Sequence, residues 1–418
     1  MTGVNTVSMS NIKLPLPLPI FDSIEHFNAE KNFSYLSELY NSNDIKVAVR
    51  FIKSYRGSQG TFNSYRREIE RLIHWCALIS KKSLKQLRRD DIEDFVTFCQ
   101  KPPKSWIGKT KPSRFIVKDD MRVPNPTWRP FVVSISKIER RNGIELDPKQ
   151  FEFTHGSLRE LFAILSSFYN YLIQEEYANM NPVAIIRQKS KFIRKTQGQP
   201  KIRRLSELQW QYVIKTAEDL AKKNADVHER TLFIMSALYS MYLRISELAA
   251  SNRWSPAMNH FYRDGDGHWW FTTVGKGNKE RQIAVSDAML KALKQWRKHL
   301  NLPLLPSPAD TSPLLPKTKG NGAIKSTNTI RKIVQYCFDR TIEQLNNDGF
   351  NEEAETLNEA TVHWLRHTGI SDDVKIRPRE HVRDDAGHSS SATTDKYIDI
   401  ELRERHRSAR KKTISDKV

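Results

Sequence analysis

Hydrophobic positions in the first half of the chain recur mainly with the period of an α-helix. The spacing is clearest in residues 61–79, where apolar residues three to four positions apart define one face. The opposite face of that helix carries three arginines: Arg66, Arg67 and Arg71. Three further segments favour helices: 44–54, 83–100 with Asp90 as N-cap, and 155–177. The pattern predicts a helical domain over residues 45–186, after an irregular N-terminal extension at 1–44.

The second half of the chain adds one β-hairpin to the helical pattern. Strands are predicted at 268–275 and 281–285, and Gly277-Asn278 between them suits a tight turn. Helices are predicted on both sides of the hairpin: 207–223 after a Ser206 N-cap, 230–251, one capped by Ser286 or Asp287, and one from about Ser326. The predicted fold class is therefore mainly α with a small β-hairpin, and the second domain is mixed α/β over residues 205–400.

Two stretches rich in lysine and arginine interrupt the periodic pattern. Residues 187–204 contain eight basic and no acidic residues, together with Gly198 and Pro200, which predicts a basic linker between the two domains. Residues 101–118 contain six basic residues, no acidic residue and three prolines, and predict a loop in which Trp106 and Phe115 pack or stack. This loop opens a predicted insertion around 101–150.

The overall charge points to a polyanionic partner. The chain has 418 residues, 68 Lys and Arg against 48 Asp and Glu, and a formal net charge of +20. Such an excess favours nucleic acid, although charge alone does not separate DNA from RNA or from an acidic membrane surface. No stretch has the roughly 18 apolar residues of a membrane span, and three scattered cysteines predict buried thiols in a reducing, cytoplasmic compartment.

Four short segments carry the candidate chemistry: LRISEL (243–248), GKGNKERQI (275–283), HWLRHTGIS (363–371) and AGHSSSATTDKY (386–397). Taken singly, each has an ordinary interpretation. Arg244 and Glu247 have the spacing of an ion pair within a helix. His363 and His367 have the spacing of zinc ligands, but Trp364 stands where a metalloprotease has its glutamate.

In this order, the four segments resemble the signature of the tyrosine recombinases, the phage integrase family. The resemblance covers residues 205–400 and, loosely, 45–186, where it implies a helical, SAM-like core-binding domain. Tyr397 follows His388 by nine positions, as the family pattern requires. The resemblance implies six catalytic residues: Arg244, Lys276, His363, Arg366, His388 and Tyr397. It also implies two supporting residues: Glu247 and His367.

The chemistry of phosphodiester cleavage suits this set of residues. Two guanidiniums stabilise charge on the non-bridging oxygens, since each presents a planar fork of donors. The phenol of Tyr397 has an ordinary pKa near 10, so His363 would assist loss of its proton and Lys276 would protonate the leaving 5′-oxygen. Fixed cations take the place of a metal ion. The resemblance therefore implies cleavage and rejoining through a 3′-phosphotyrosyl intermediate, without a metal or other cofactor.

The implied partners are double-stranded DNA, further copies of this chain in a homotetramer on synapsed sites, and accessory DNA-bending proteins. Candidate DNA contacts lie in the predicted first domain and linker: Arg66, Lys109, Lys111, Arg114, Lys189, Lys191, Arg194 and Lys195. The charged tail at 401–418 is expected to dock on a neighbouring copy, to lie on DNA or to be solvated and disordered. The extension and the insertion favour an integrase of a mobile genetic element, acting in integration, excision or transposition.

Three alternatives stay open at the level of sequence. A type IB topoisomerase uses similar chemistry to relax DNA, and a catalytically idle DNA-binding protein would keep the same fold. A metal nuclease would use Asp372 and Asp373, or Asp384 and Asp385, but adjacent carboxylates on a helix point to different faces. The family residues also show departures: Tyr242 stands where glycine is frequent, and Ala386 replaces the usual leucine.

Overall fold

The computed structural model describes residues 15–27, 33–135, 137–141, 143–189, 203–275, 277–388 and 409–410. The chain divides into two compact units, Met1–Gly198 and Gln199–Val418, and the division falls within the predicted linker at 187–204. The predicted fold class, mainly α with small β elements, is confirmed.

Unit 1 is built on helices that enclose an apolar core. They are α1 (Ser42–Lys53), α2 (Gln59–Trp75), α3 (Arg89–Gln100), α4 (Lys137–Arg141), α5 (His155–Gln174) and α6 (Pro182–Lys189). A short π-helical turn, Cys76–Ser80, continues α2. Phe51, Phe62 and Phe168 are among the core residues, and each has 3% or less of its surface exposed. The apolar face that the sequence pattern indicated is the face that packs inward.

The start of the described chain belongs to the core of unit 1. Ile20 and Phe21 are buried, and their backbone N–H groups donate to Oε1 of Glu70 at 2.6 and 3.2 Å. Phe27 packs edge-on against Phe62 with ring centroids 5.2 Å apart. The prediction of a separate extension at 1–44 therefore needs correction over residues 15–27, since Ile20, Phe21 and Phe27 belong to the core.

The predicted insertion contains short strands as well as loop. β1 (Ile107–Gly108) pairs in parallel with β4 (Phe131–Val132), and β2 (Phe115–Lys118) pairs with β3 (Met121–Pro124) as an antiparallel hairpin. Trp106 and Phe115 are buried, so they pack in the protein and are not available to stack on DNA. The prediction that 101–118 is only loop was wrong, because three prolines masked the strand pattern.

Unit 2 surrounds a three-stranded antiparallel sheet with helices. The strands are β5 (Phe261–Arg263), β6 (Trp269–Val274) and β7 (Glu280–Ala284), with β6 in the centre. Phe271 lies opposite Phe261 on one side and Ile283 on the other, and all three are buried. The hairpin of β6 and β7 is the predicted one, while β5 escaped prediction because only three of its residues pair.

The helices of unit 2 hold the motif segments in place. They are α7 (Glu207–Lys223), α8 (Ala225–Ser240), α9 (Ile245–Leu248), α10 (Asp287–His299), α11 (Thr327–Asn347), α12 (Asn351–Asn358), α13 (Val362–Asp373) and α14 (Arg379–Ala386). Ser206 and Ser286 cap α7 and α10 through their side chains, as predicted. In unit 1, by contrast, Arg88 and not Asp90 precedes α3, and the side chain of Asp91 accepts the Arg88 N–H at 2.8 Å.

The predicted single helix at 230–251 is two helices with a break between them. α8 ends at Ser240, and Tyr242 has a φ of 50°, in the left-handed region. The chain then turns, and Arg244 stands at the N-cap position of α9. The periodicity did not reveal the break, because residues 241–243 are apolar or aromatic and are all buried.

Candidate active site

Arg244 is positioned by the turn between α8 and α9. Its backbone N–H donates to Oε2 of Glu247 at 2.8 Å, and its Nη1 donates to Oε1 of the same carboxylate at 2.9 Å. Glu247 is 1% exposed, whereas the Arg244 side chain is 29% exposed. The carboxylate thus anchors one edge of a guanidinium that still reaches the surface.

A second arginine, Arg281 on β7, completes the support of Glu247. Its Nη1 and Nη2 donate to Oε1 and Oε2 at 2.7 and 2.8 Å, a bidentate pair. Burial alone would raise the pKa of Glu247, but the hydrogen bonds and charges of Arg281 and Arg244 outweigh it and lower that pKa. Glu247 therefore stays ionised between two cations. Arg281 lies within the GKGNKERQI segment, but its pairing with Glu247, 34 positions away, could not be predicted from that segment.

The end of β6 lies directly against this cluster. A Cβ atom at Gly275 would come within 3.0 Å of Nη1 of Arg281, 3.1 Å of Oε1 of Glu247 and 3.4 Å of Nη1 of Arg244. An added Cβ atom would therefore require these side chains to shift by a few tenths of an ångström. Gly277 and Asn278 both have positive φ, as the predicted turn requires. The predicted catalytic Lys276 lies outside the described residues.

Arg366, on α13, is the deeper of the two predicted arginines. It is 2% exposed, and its guanidinium donates to the backbone carbonyls of Tyr242 and, at 2.6 Å, Ala386. Its Nη2 also lies 3.3 Å from Nε2 of His388. These contacts join three segments that are far apart in sequence: the α8–α9 turn, α13 and the end of α14.

The close packing of α13 against α8 depends on Gly369. A Cβ atom at this position would overlap the backbone carbonyl of Tyr239 and lie 3.2 Å from the Tyr242 ring. The two helices can therefore approach only because residue 369 has no side chain. This approach brings α13, which carries Arg366, next to the turn that carries Arg244.

The three predicted histidines of this unit have lowered pKa values. Burial and the charges of Arg366 and Arg244 lower the pKa of His388 to about 4. Burial and neighbouring cations, including Arg366, lower the pKa of His363 and bring that of His367 down to about 3. The rings of His363 and His367 meet edge to face at 4.3 Å. All three imidazoles are therefore neutral near pH 7.

The predicted nucleophile, Tyr397, lies outside the described residues. His388 is the last residue of the described stretch that begins at 277, and its backbone N–H donates to the carbonyl of Arg383 at 3.1 Å. Gly387 ends α14 with a φ of 64°. The structure thus brings together Arg244, Arg366 and His388, with His363 under the influence of both arginines, while Lys276 and Tyr397 stay predictions.

Two predicted DNA contacts in unit 1 are wrong. The Arg114 guanidinium forms an ion pair with Glu70, lies 4.6 Å from the Trp128 ring and is largely buried. Arg66 is 9% exposed and donates to the backbone carbonyl of Asp22. Both arginines serve the packing of the N-terminal segment, so they cannot face a phosphate.

The remaining predicted contacts fall into two groups. Lys109 and Lys111 are exposed, which leaves their prediction open. The other four residues have side chains outside the described part of the structure: Lys189, Lys191, Arg194 and Lys195. Of the tail at 401–418, only Ala409 and Arg410 are described.

The carboxylates considered for a metal nuclease are engaged with protein donors. Asp372 accepts from the Tyr239 hydroxyl at 3.0 Å and Asp373 from the Tyr242 hydroxyl. Their neighbours on α14 pair with arginines: Asp384 with Arg383 at 2.7 Å, and Asp385 with Arg377 at 2.6 Å. Adjacent carboxylates thus bind separate partners, and neither pair forms a chelate.

A different group of side chains has metal-ligand spacing. Ligand atoms of Asp264, Asp266 and His268, in the turn between β5 and β6, lie within 4.8 Å of one another. Oδ1 of Asp264 already accepts the backbone N–H groups of Asp266 and His268 at 3.0 and 2.8 Å, and Oδ2 accepts Nε1 of Trp270 at 2.8 Å. These bonds account for the cluster as the framework of a turn.

No helix in the described part of the chain has the length and apolar character of a membrane span.

Known proteins resemble this chain in sequence and in fold. The model of the phage integrase family matches residues 203–403. The tyrosine recombinase XerC of Treponema denticola is 24% identical over 261 residues, which cover 58% of this chain and 73% of that protein. The XerH site-specific recombinase, solved in a post-cleavage complex with palindromic difH substrate, superimposes with a TM-score of 0.52 and 14% identity, over 90% of this chain and 91% of that one.

The motif residues, the sequence relative and the similar solved structure are consistent with one another. The family model covers the part of the chain in which Arg244, Arg366 and His388 meet. The likeness to XerH concerns the fold of almost the whole chain. Residues 203–403 therefore carry a domain of the phage integrase family, and over 261 residues the chain is similar to a tyrosine recombinase.

Proposed function

We propose that this protein is a site-specific DNA recombinase that breaks and rejoins strands through a covalent bond between Tyr397 and a 3′-phosphate. The observation that carries the proposal is the meeting of Arg244, Arg366 and His388. These residues come from three separate elements: a carboxylate holds Arg244, backbone carbonyls hold Arg366, and Arg366 in turn contacts His388. Two fixed cations beside a neutral imidazole are suited to the charge that develops on phosphate oxygens during cleavage.

The two arginines would divide the binding of the scissile phosphate. Arg244 is partly exposed and anchored at one edge by Glu247, so it would approach the phosphate from the surface. Arg366 is oriented from behind by two backbone carbonyls. Carbonyl oxygens are neutral, so they orient the guanidinium without cancelling its charge. Two cations fixed in advance would stabilise the transition state more than the ground state.

The tautomer of His388 supports a role as a hydrogen-bond donor. Its Nε2 faces Nη2 of Arg366, which can only donate, so Nε2 acts as acceptor and the proton of the neutral ring resides on Nδ1. His388 would then donate from Nδ1 to a non-bridging phosphate oxygen. His363 is exposed and has a lowered pKa, so its neutral ring would accept the proton of Tyr397.

Lys276 would supply the proton for the leaving group. It follows Gly275, which lies against Arg244 and Glu247, so the hairpin begins its turn beside the phosphate-binding arginines. In the reaction, the oxygen of Tyr397 attacks phosphorus, the bond to the 5′-oxygen breaks, and Lys276 protonates that oxygen. A 5′-hydroxyl from another strand then reverses the step, and the phosphodiester bond is conserved without ATP.

The proposed partners follow from this chemistry. Exchange between two duplexes needs four active subunits, so we propose a homotetramer on double-stranded DNA, assisted by DNA-bending proteins. The protein would work at the bacterial chromosome in the cytoplasm, on a mobile element that it integrates, excises or transposes. The domain boundaries at 45–186 and 205–400 and the basic linker at 187–204 belong to the same proposal.

Covalent trapping tests the proposal. The full chain is incubated with nicked duplexes taken from the DNA that flanks its gene, quenched with detergent and examined for DNA-linked protein. We expect an adduct in the wild type, none in Tyr397→Phe, and an unchanged yield in Tyr336→Phe, a control at an exposed tyrosine on α11.

Other outcomes would redirect the proposal. Tight binding without an adduct in any variant would indicate an idle DNA-binding protein. Relaxation of a supercoiled plasmid that lacks the flanking DNA would indicate a topoisomerase. An adduct that persists in Tyr397→Phe would assign the nucleophile to another residue.

A further inference from the structure

Tyr242 occupies a constrained backbone position near the candidate site. Its φ of 50° lies in the left-handed region, which costs a residue with a side chain on the order of 1 kcal/mol or more. Glycine would adopt this conformation freely. A tyrosine here therefore needs a compensating interaction, and its side chain and its carbonyl both provide one.

The ring of Tyr242 is completely buried. It belongs to a small apolar cluster with Ile370 of α13 and with Val382 and Ala386 of α14. The cluster fixes the position of the ring, and with it the direction of the phenol.

The hydroxyl of Tyr242 enters a partly buried polar group, here named the Tyr242 network: Tyr242, Asp373, Arg377 and Asp385. The hydroxyl donates to Oδ2 of Asp373, and Nη1 of Arg377 donates to the hydroxyl at 2.9 Å. Arg377 also pairs with Asp373 at 3.2 Å and with Asp385 at 2.6 Å. The network thereby ties the α8–α9 turn to both α13 and α14.

The network also joins the supports of the two catalytic arginines. The carbonyl of Tyr242 accepts from Arg366. The carbonyl of Asp385 accepts Nε of Arg281 at 2.9 Å, and Arg281 holds Glu247, which holds Arg244. A continuous series of contacts therefore runs from Arg366 through the Tyr242 network to Arg244. No residue of the network is among the proposed reacting groups.

We propose that Tyr242 is a positioning residue, whose phenol locks the left-handed turn so that its carbonyl holds Arg366 in register with Arg244. The inference rests on the proposed function, since the positioning serves strand cleavage. Its physical basis is that two fixed points, the carbonyl and the hydroxyl, define the orientation of the residue. Loss of the hydroxyl leaves the carbonyl free to rotate away from Arg366.

Tyr242→Phe is the sharpest test, because it keeps the buried ring and removes the hydroxyl alone. Asp373 keeps its ion pair with Arg377, so no buried charge loses its partner and the variant is expected to fold. We expect the rate of single-turnover cleavage to fall about tenfold, with unchanged affinity for the same nicked duplex. Tyr239→Phe on α8, which removes a similar hydrogen bond to Asp372, is the matched control.

A double-mutant cycle separates positioning from general weakening of the fold. If Tyr242 acts through Arg366, Tyr242→Phe lowers the rate in the wild type but has no further effect in an Arg366→Lys background. Equal loss in both backgrounds would overturn the proposal, as would a wild-type rate in Tyr242→Phe.

A second measurement does not depend on cleavage. In the full chain labelled with ¹⁵N-arginine, the Arg366 guanidinium protons are expected to exchange slowly in the wild type and Tyr239→Phe, and rapidly in Tyr242→Phe. Slow exchange in all three would overturn the positioning role. Failure of the wild type to form an adduct, with this exchange difference present, would instead overturn the proposed function and leave the positioning intact.

Discussion

Arginines in the two units look alike in the sequence but differ in the groups that their guanidiniums contact. In unit 1, Arg114 forms an ion pair with Glu70, so its charge is neutralised within the protein. In unit 2, Arg366 is buried even more completely, but carbonyls and a neutral imidazole orient it. The difference teaches that burial alone does not separate a structural arginine from a phosphate-binding one. For these two arginines the charge of the partner makes the difference, whereas Arg244, which also pairs with a carboxylate, keeps 29% of its side chain exposed.

The largest expected effect concerns Arg366. We expect Arg366→Lys to lower the cleavage rate by about 10²- to 10³-fold, since one ammonium cannot reach both carbonyls and the phosphate. The measurement is single-turnover cleavage of the nicked duplex, with Arg340→Lys on the exposed side of α11 as control. A loss below threefold would mean that the comparison between the two arginines fails.

Arg114 is expected to affect stability and not chemistry. Arg114→Met leaves Glu70 buried without its cation, and the free energy of unfolding is expected to fall by about 3 kcal/mol. Urea unfolding measures the loss, and Lys111→Met, at an exposed position, serves as control. Weaker DNA binding by a variant of unchanged stability would restore Arg114 as a DNA contact.

The pH dependence of stability extends the comparison to one histidine in each unit. His74 in unit 1 is completely buried, and burial lowers its pKa to about 3, while that of His388 is lowered to about 4. The unfolded chain takes up these protons near pH 6.5 and the folded chain does not. Stability is therefore full above about pH 6.5 and declines as the pH falls toward 4.

The same histidines separate stability from activity. Urea unfolding near pH 7 and near pH 5 should show a smaller difference in His388→Asn than in the wild type, and an unchanged one in His381→Asn at an exposed position. His388 is still neutral near pH 5, so protonation of His388 should not limit cleavage by the wild type there. A cleavage rate that falls with a midpoint near pH 6.5 would contradict the lowered pKa of His388.

The smallest expected effect belongs to the exposed lysines of the insertion. Lys109→Ala with Lys111→Ala should reduce the slope of log affinity against log salt by about two, one for each phosphate that a lysine no longer neutralises. Stability should not change. Replacement of Lys222 and Lys223 at the end of α7 removes the same charge and tests whether position matters. Equal slopes for both pairs would remove the lysines of the insertion from the interface.

Local signals explain what the sequence could predict. The N-caps Ser206 and Ser286 and the Gly277-Asn278 turn rest on neighbouring residues, and the motif residues Arg244 and Arg366 carry their identity in their spacing. Local rules suffice there because the interacting atoms lie within a few residues.

Contacts between distant segments explain what escaped prediction. The burial of Arg66 depends on a carbonyl 44 positions away, and the role of Arg281 on a carboxylate 34 positions away. The break at Tyr242 gave no signal, since tyrosine in a left-handed turn is stabilised by Asp373 and Arg377, far along the chain. No period or propensity encodes such pairs.

Gly369 controls the spacing of two helices at the site although it has no side chain. The α8–α13 distance is set by the absence of one methyl group, and each helix leads to one of the two arginines. An alanine at 369 would act as a wedge and spread the two charges apart, although it touches neither. The distance between the two guanidiniums, and with it the size of the anion that can bind both, thus depends on a residue that has no functional group.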